Sequence, residues 1–348
     1  MLTLASPSRR HPILRSGLTV LMLALSAFPA VAQLTITGAG ATLPFPIYSK
    51  WFDTYTSIDG SVRFNYQSIG SGAGQKQILE GTVDFGATDS PMSDENLARA
   101  PGKLLHIPTV AGAVAITFNL PGVKNLNLDA NALSGIYLGK ITKWNDPALA
   151  RLNPSLSLPK TNIAVVHRSD GSGSSLVFTD YLSSVSEEWK TKVGRNTVVK
   201  WPVGVAAKGN EGVAGQVNQL AGSIGYVELI YTKQIKMAVA ALKNEAGEFI
   251  LPDPETIAKA LAAADVPDDF RFSIVNPKVN GAYPIAGVTW LLVYERQTDP
   301  AKGKKLVEFL KWMLVDGEKL AAGLSYAPLP EALIKRVGTR VDAIRFQP

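Results

Sequence analysis

No cysteine occurs among the 348 residues, which excludes disulfides, thiolate zinc sites, iron–sulfur clusters and cysteine nucleophiles together. Histidine is almost as scarce: His11, His106 and His167 are the only three, too few for the usual histidine-built metal centre. Charged residues make up 18% of the chain, and no run gathers five or more Lys and Arg. A groove that follows a nucleic-acid backbone needs such a patch, so nucleic acid is not an expected partner. No stretch is apolar over the roughly 20 residues that cross a bilayer. The G-x-S-x-G and H-E-x-x-H signatures are both missing. What remains is a chain 46% hydrophobic, without repeats, long enough for two domains that each bury a core.

Residues 1–32 read as a cleaved secretory signal. Arg9, Arg10 and Arg15 form a basic start, Gly17 to Phe28 a short apolar run, and Ala30-Val31-Ala32 a small-x-small cleavage site. The mature protein is then expected in the periplasm, beginning at Gln33. Removing those three arginines lowers the 35 basic residues by three against 29 acidic ones, so the net charge falls from +6 to +3.

From Gln33 onward, β-like runs alternate with helix-period stretches, the pattern of an α/β protein. Strands are predicted at Leu34–Thr37, Val62–Gln67, Val83–Ala87, Val110–Asn119, Ile163–Val166, Ser223–Val227 and Thr289–Tyr294. Helices are predicted at Ile47–Tyr55, Gln75–Glu80, Ser174–Ser183 and Lys302–Leu314, with Ser93 capping a further one. No linker separates two consecutive beads. A chain that passes twice between lobes, near 110–118 and 284–292, fits the pattern.

Four segments place small hydroxyl or acidic residues beside glycine directly after a strand: Gly38–Leu43, Ser68–Gly74, Asp84–Ser90 and Arg168–Ser175. Glycine lets backbone N–H groups approach a ligand, and a helix start offers free N–H groups to an anion. Hydroxyls add neutral donors, and Arg168 a planar fork suited to an oxyanion. Ordinary turn chemistry explains any one of these segments equally well, but less well the set of four. Gly38-x-Gly40 lacks the third glycine of a dinucleotide fingerprint, and Gly135–Lys140 is one residue short of a phosphate loop. His106 reads as structural, and His167 as facing away from Arg168. The pairs Glu187-Glu188 and Asp268-Asp269 read as solvated.

Together these segments make the chain resemble the periplasmic phosphate-binding proteins of ABC-type phosphate transporters, the PstS family. The motifs are TGAGATLP with the following Pro-x-Tyr-x-Lys-Trp, VDFGATD, IYLGKITKWND, NIAVVHRSDGSGSS, VKWPVG and GSIGYVE, and the match runs from Thr37 to about Leu329. The resemblance implies a two-lobed binding-protein fold of type II, each lobe a mostly parallel sheet flanked by helices and joined by two hinge crossovers. Lobe I would comprise 33–112 and 286–348, and lobe II 113–285. It implies inorganic phosphate in the cleft, bound by Thr42, the Leu43 amide, Ser71, Asp89, Arg168, Ser172, the Gly173 amide and Ser174, with Asp170 pairing to Arg168. It further implies a monomer that meets a membrane permease and its ATPase, with no cofactor, metal or catalytic residue. Leu43 stands where the family often has Phe, Ser174 where it often has Thr, and His167 where a second basic residue is frequent. A phosphatase-like enzyme and a binding protein for another tetrahedral oxyanion remain the alternatives.

Overall fold

Leu34–Gly40 (β1) runs from half-buried positions into wholly buried ones, and the aromatic Val62–Ser68 (β2) pairs parallel to it along its whole length. Between them lies Phe45–Ile58 (α1), with proline in its first turn and Ile47, Tyr48, Trp51, Phe52 and Tyr55 on the buried face. Ser71–Leu79 (α2) leads to Phe85–Thr88 (β3), parallel to β1 on its other side. The computed structural model describes residues 33–346 together with Leu2, Thr3 and Ala5, so apart from those three the expected signal segment lies outside the described residues.

Leu104–Asn119 (β4) is a 16-residue strand, buried at every position but the last. Beyond it, Ala164–Arg168 (β5) is followed by Gly173–Val185 (α3), Val205–Ala207 (β6) by Gly209–Gln219 (α4), and then come Ser223–Glu228 (β7) and Ala238–Val239 (β8). Ala286–Tyr294 (β9) returns to the first half, and Pro300–Trp312 (α5) and Glu331–Asp342 (α6) close the chain. The sheet order is β2-β1-β3-β9-β4-β7-β5-β6, with β8 also on β4. Pairing is parallel within the β2-β1-β3 and β7-β5-β6 ends, and antiparallel around β4.

The length of β4 follows from its two jobs. Leu104 to Ala113 pair with β9, and Val114 to Asn119 pair with β7, so one strand serves both halves of a curled sheet. Such a strand is covered on both faces, hence its almost unbroken apolar sequence. The predicted elements all form, with shifted ends. Two shifts have clear causes. Ser71 already belongs to α2, because Gly70 at φ +97° turns the chain into the helix four residues earlier than the apolar spacing suggests. The helix predicted at Lys302–Leu314 keeps Leu306, Phe309, Leu310 and Met313 in the core but widens into a π-turn at Met313–Gly317, where the Trp51 indole donates to Gly317 O.

Candidate anion site between the two halves

Parallel neighbours have their carboxyl ends on one edge, so the loops after β1, β2 and β3 converge, and the loop after β5 faces them from the other half. Thr42, Leu43, Ser71, Asp89, Arg168, Ser172 and Ser174 are all at most 4% exposed. Polar residues gathered in this way need partners, and the partners they have define the site.

The first loop is held by phenols. Tyr66, Tyr231 and Tyr326 donate to the carbonyls of Ala41, Thr42 and Leu43 respectively, each at 2.7 Å. In a trans peptide the N–H points opposite to the C=O. Tying Thr42 O to Tyr231 therefore aims the Leu43 N–H away from that phenol, at the start of α1, where helical N–H groups have no internal acceptor. Thr42 Oγ1 accepts from the Asn210 side chain at 2.7 Å and from its backbone N–H at 3.3 Å.

Ser71 and Asp89 form a pair. The Asp89 N–H donates to Ser71 Oγ at 3.1 Å, and that hydroxyl lies 3.4 Å from Asp89 Oδ2. Asp89 Oδ1 has no protein partner. Burial pushes the Asp89 pKa up to about 7, against the opposing pull of the Thr289 hydroxyl, Arg168 and Ser71.

Across the cleft, the Arg168 guanidinium is gripped by Asp170, Nε to Oδ1 at 2.8 Å and Nη2 to Oδ2 at 2.5 Å. Its Nη1 has no protein partner. Burial alone would raise the Asp170 pKa, but the bonds and charge of Arg168 and the Gly209 N–H at 3.0 Å hold it below the usual carboxylate range. Ser172 caps α3 by accepting from the Ser175 N–H at 3.0 Å, which leaves its own proton free to donate. Gly173 opens α3 so close to the facing wall that a Cβ there would sit 2.4 Å from Asp89 Cβ and 2.6 Å from Ser71 Oγ. Only glycine fits.

The halves also touch directly, the Gly72 N–H donating to Gly171 O at 2.9 Å. A cavity of about 480 Å³ opens onto Asp89 between Asn96, Thr197, Arg271 and Val288, and Asp89 alone among the predicted ligands lines it. The other predicted ligands do not line it. Among the described residues no group of three or more His, Asp or Glu could hold a metal ion.

The structure thus brings all eight predicted ligands and Asp170 to one enclosed place. His106 is buried and accepts the Met92 N–H at 3.0 Å, and burial pushes its pKa down to about 4. His167 stacks on Trp201 with ring centroids 4.9 Å apart, away from the site. Glu187, Asp268 and Asp269 are exposed and Glu188 half-exposed, as expected of solvated pairs, and there Asp269 pairs with Arg271 and Glu188 with Lys140 and Lys192. Sequence reasoning missed Asn210, the three tyrosines and Glu228. Glu228 is wholly buried with neither carboxylate oxygen partnered, against Gly112, and burial pushes its pKa well up. Lys208 to Gly212 make a further glycine-flanked helix start, the cap and first turn of α4 after β6, without the hydroxyl that marks the other four segments.

The sequence profile described as the PBP superfamily domain matches residues 27–316. Over 327 residues the chain is 43% identical to the phosphate-binding protein PstS of Pasteurella multocida, covering 93% of this chain and 94% of that one. Against the protein of the same name from Xylella fastidiosa strain 9a5c, it is 45% identical over 320 residues, covering 90% and 87%. In structure it is similar to a phosphate-binding protein from Stenotrophomonas maltophilia, at 24% identity and a TM-score of 0.69, covering 88% of this chain and 93% of the other. A high-affinity periplasmic phosphate-binding protein solved with phosphate gives 22% identity and a TM-score of 0.71, with 90% and 100% covered. These two likenesses speak for the fold.

Proposed function

Because the chain belongs to the PstS family within the PBP superfamily, we propose that it is the substrate-binding component of an ABC-type phosphate importer. The mature protein, exported to the periplasm by cleavage after Ala32, closes on inorganic phosphate and delivers it to the membrane permease and its ATPase. One observation carries the reading. An enclosed site holds one buried donor, Arg168 Nη1, and one buried acceptor, Asp89 Oδ1, both without protein partners. Leaving such groups unpaired costs roughly 1–3 kcal/mol each, more when charged, so the closed form is built around a ligand that satisfies both.

That ligand must accept from several donors and yet offer a proton to a carboxylate. Phosphate near neutral pH does both. Arg168 Nη1, the Thr42, Ser71, Ser172 and Ser174 hydroxyls and the Leu43 and Gly173 amides donate to it, and Asp89 shares its proton. Sulfate has no proton to bring, so Asp89 must itself be protonated to receive it. With a pKa of about 7 that demand becomes steeper as the pH rises. Arsenate shares phosphate's protonation and shape and is excluded only weakly. Asp170 orients Arg168 and moderates its charge, which suits a site that must also release its cargo.

The lobes we assign are 33–112 with 286–348, and 113–285, supported by the change of partner along β4 between Ala113 and Val114. Closure by hinge motion at that strand and at the start of β9 buries the anion. Calorimetry on the mature protein at pH 8 tests the reading. Tight binding of phosphate and arsenate with weak sulfate binding, and no turnover of a chromogenic phosphomonoester, is expected. Equal affinity for sulfate sinks the phosphate assignment, and turnover sinks the binding-protein one.

A further inference from the structure

We propose that Asn210 is a positioning residue that fixes the hydroxyls of Thr42 and Ser174 as donors to the bound anion, and does so only once the halves have closed. The inference rests on the phosphate-site reading above. It starts from a backbone group whose role is unambiguous. The Glu228 N–H can only donate, and it points at Asn210 Oδ1 at 2.9 Å. That contact decides which end of the amide is oxygen and which nitrogen. The Nδ2 end then faces Thr42 Oγ1 at 2.7 Å and Ser174 Oγ at 3.4 Å, giving each an N–H. The Asn210 backbone N–H adds a second bond to Thr42 Oγ1 at 3.3 Å.

A hydroxyl has two lone pairs and one proton. With both lone pairs of Thr42 Oγ1 engaged by Asn210, its proton has to point elsewhere, toward the anion. Ser174 is biased in the same direction by its single bond. Ser172 reaches the same state by capping α3. The site then presents donors everywhere except at Asp89, and that single acceptor sets how many protons the ligand must carry. Asn210 itself is wholly buried and lies at the second position of α4, whereas Thr42 belongs to the loop after β1 in the other half. The donor orientation of Thr42 is therefore completed by closure. The charged groups on the elements meeting there are Glu211, Glu228, Asp170, Arg168 and Asp89.

Asn210→Asp is the main test, because it keeps the size of the side chain and the acceptor for the Glu228 N–H but removes the donor. Calorimetry of phosphate binding to the full mature protein at pH 8.5, in buffers of different ionisation heat, reads affinity and proton uptake together. The expected result is at least about tenfold weaker binding with uptake of about one more proton per phosphate than in the parent protein. The extra proton enters on the ligand or on the new carboxyl to restore the missing donor. An unchanged proton count overturns the proposal, whatever the affinity. Should Asn210→Asp fail to fold, Asn210→Ala is measured alone and with Thr42→Val. The change is expected to cost much less affinity once the Thr42 hydroxyl is gone, and equal costs in both backgrounds overturn the proposal. If Thr42→Val by itself leaves phosphate affinity unchanged, the failure belongs to the site reading and not to Asn210.

Discussion

The two walls of the site handle their buried charges in opposite ways. On the wall from β5 and α3, Arg168 is matched by Asp170 through two bonds, and that carboxyl is held ionised. On the wall from β1, β2 and β3, Asp89 has no cation in direct contact, keeps one oxygen unpartnered, and burial carries its pKa to about 7. The same residue type is thus shifted down on one wall and up on the other. A matched charge supplies attraction that hardly depends on the ligand's protonation. An unmatched carboxylate supplies discrimination, since it welcomes only a partner that brings a proton or meets it already protonated.

Breaking the matched wall should have the largest effect on affinity. Arg168→Ala removes a donor and leaves the half-buried Asp170 without its cation, so phosphate binding should weaken by at least about 2 kcal/mol, roughly 30-fold. Near-parental affinity in calorimetry would remove Arg168 from the site. Next comes the seam between the walls. Gly173→Ala puts a methyl 2.4 Å from Asp89 Cβ, so the walls must stay apart. We expect at least a tenfold loss of phosphate affinity with little change in the melting temperature of the ligand-free protein, because the strain falls on closure and not on either half. A methyl absorbed without loss of affinity would mean that the walls do not meet as described.

For phosphate the smallest effect comes from pH, which sharpens the unmatched wall. Sulfate binds the form in which Asp89 is protonated. Its affinity should fall about tenfold per unit as pH rises above about 7 and level off below. Phosphate, which carries its own proton, should change less over that range. A sulfate affinity flat from pH 6 to 9 would contradict the assignment of the proton.

How much of this could be read from the sequence differs between the walls as well. The alternation of strands and helices and the glycine-flanked hydroxyls were legible because they are local. The Ser93 cap, which accepts the Asn96 N–H at 3.2 Å, needs no more than three neighbouring residues. Thr42, Asp89 and Arg168 stand in local motifs too, and the resemblance carried by those motifs implies their proposed role in the site. What holds them was not legible. Tyr231 and Tyr326 lie 189 and 283 residues beyond the carbonyls they anchor, and Asn210 lies 168 residues from Thr42. A buried tyrosine looks like any other core residue until the fold shows where its hydroxyl goes. Likewise, nothing in the spacing of Asp89 and Asp170 distinguishes a carboxyl that will be paired from one that will be left open.

The most direct measurement is a calorimetric comparison of phosphate and sulfate at pH 8 in the parent protein and in Asp89→Asn. The amide keeps the shape of the wall but can donate to an oxygen that carries no proton. Sulfate should gain and phosphate lose, so that the preference for phosphate shrinks by at least about 100-fold. An unchanged ratio of the two affinities would contradict the role given to the one unmatched carboxylate.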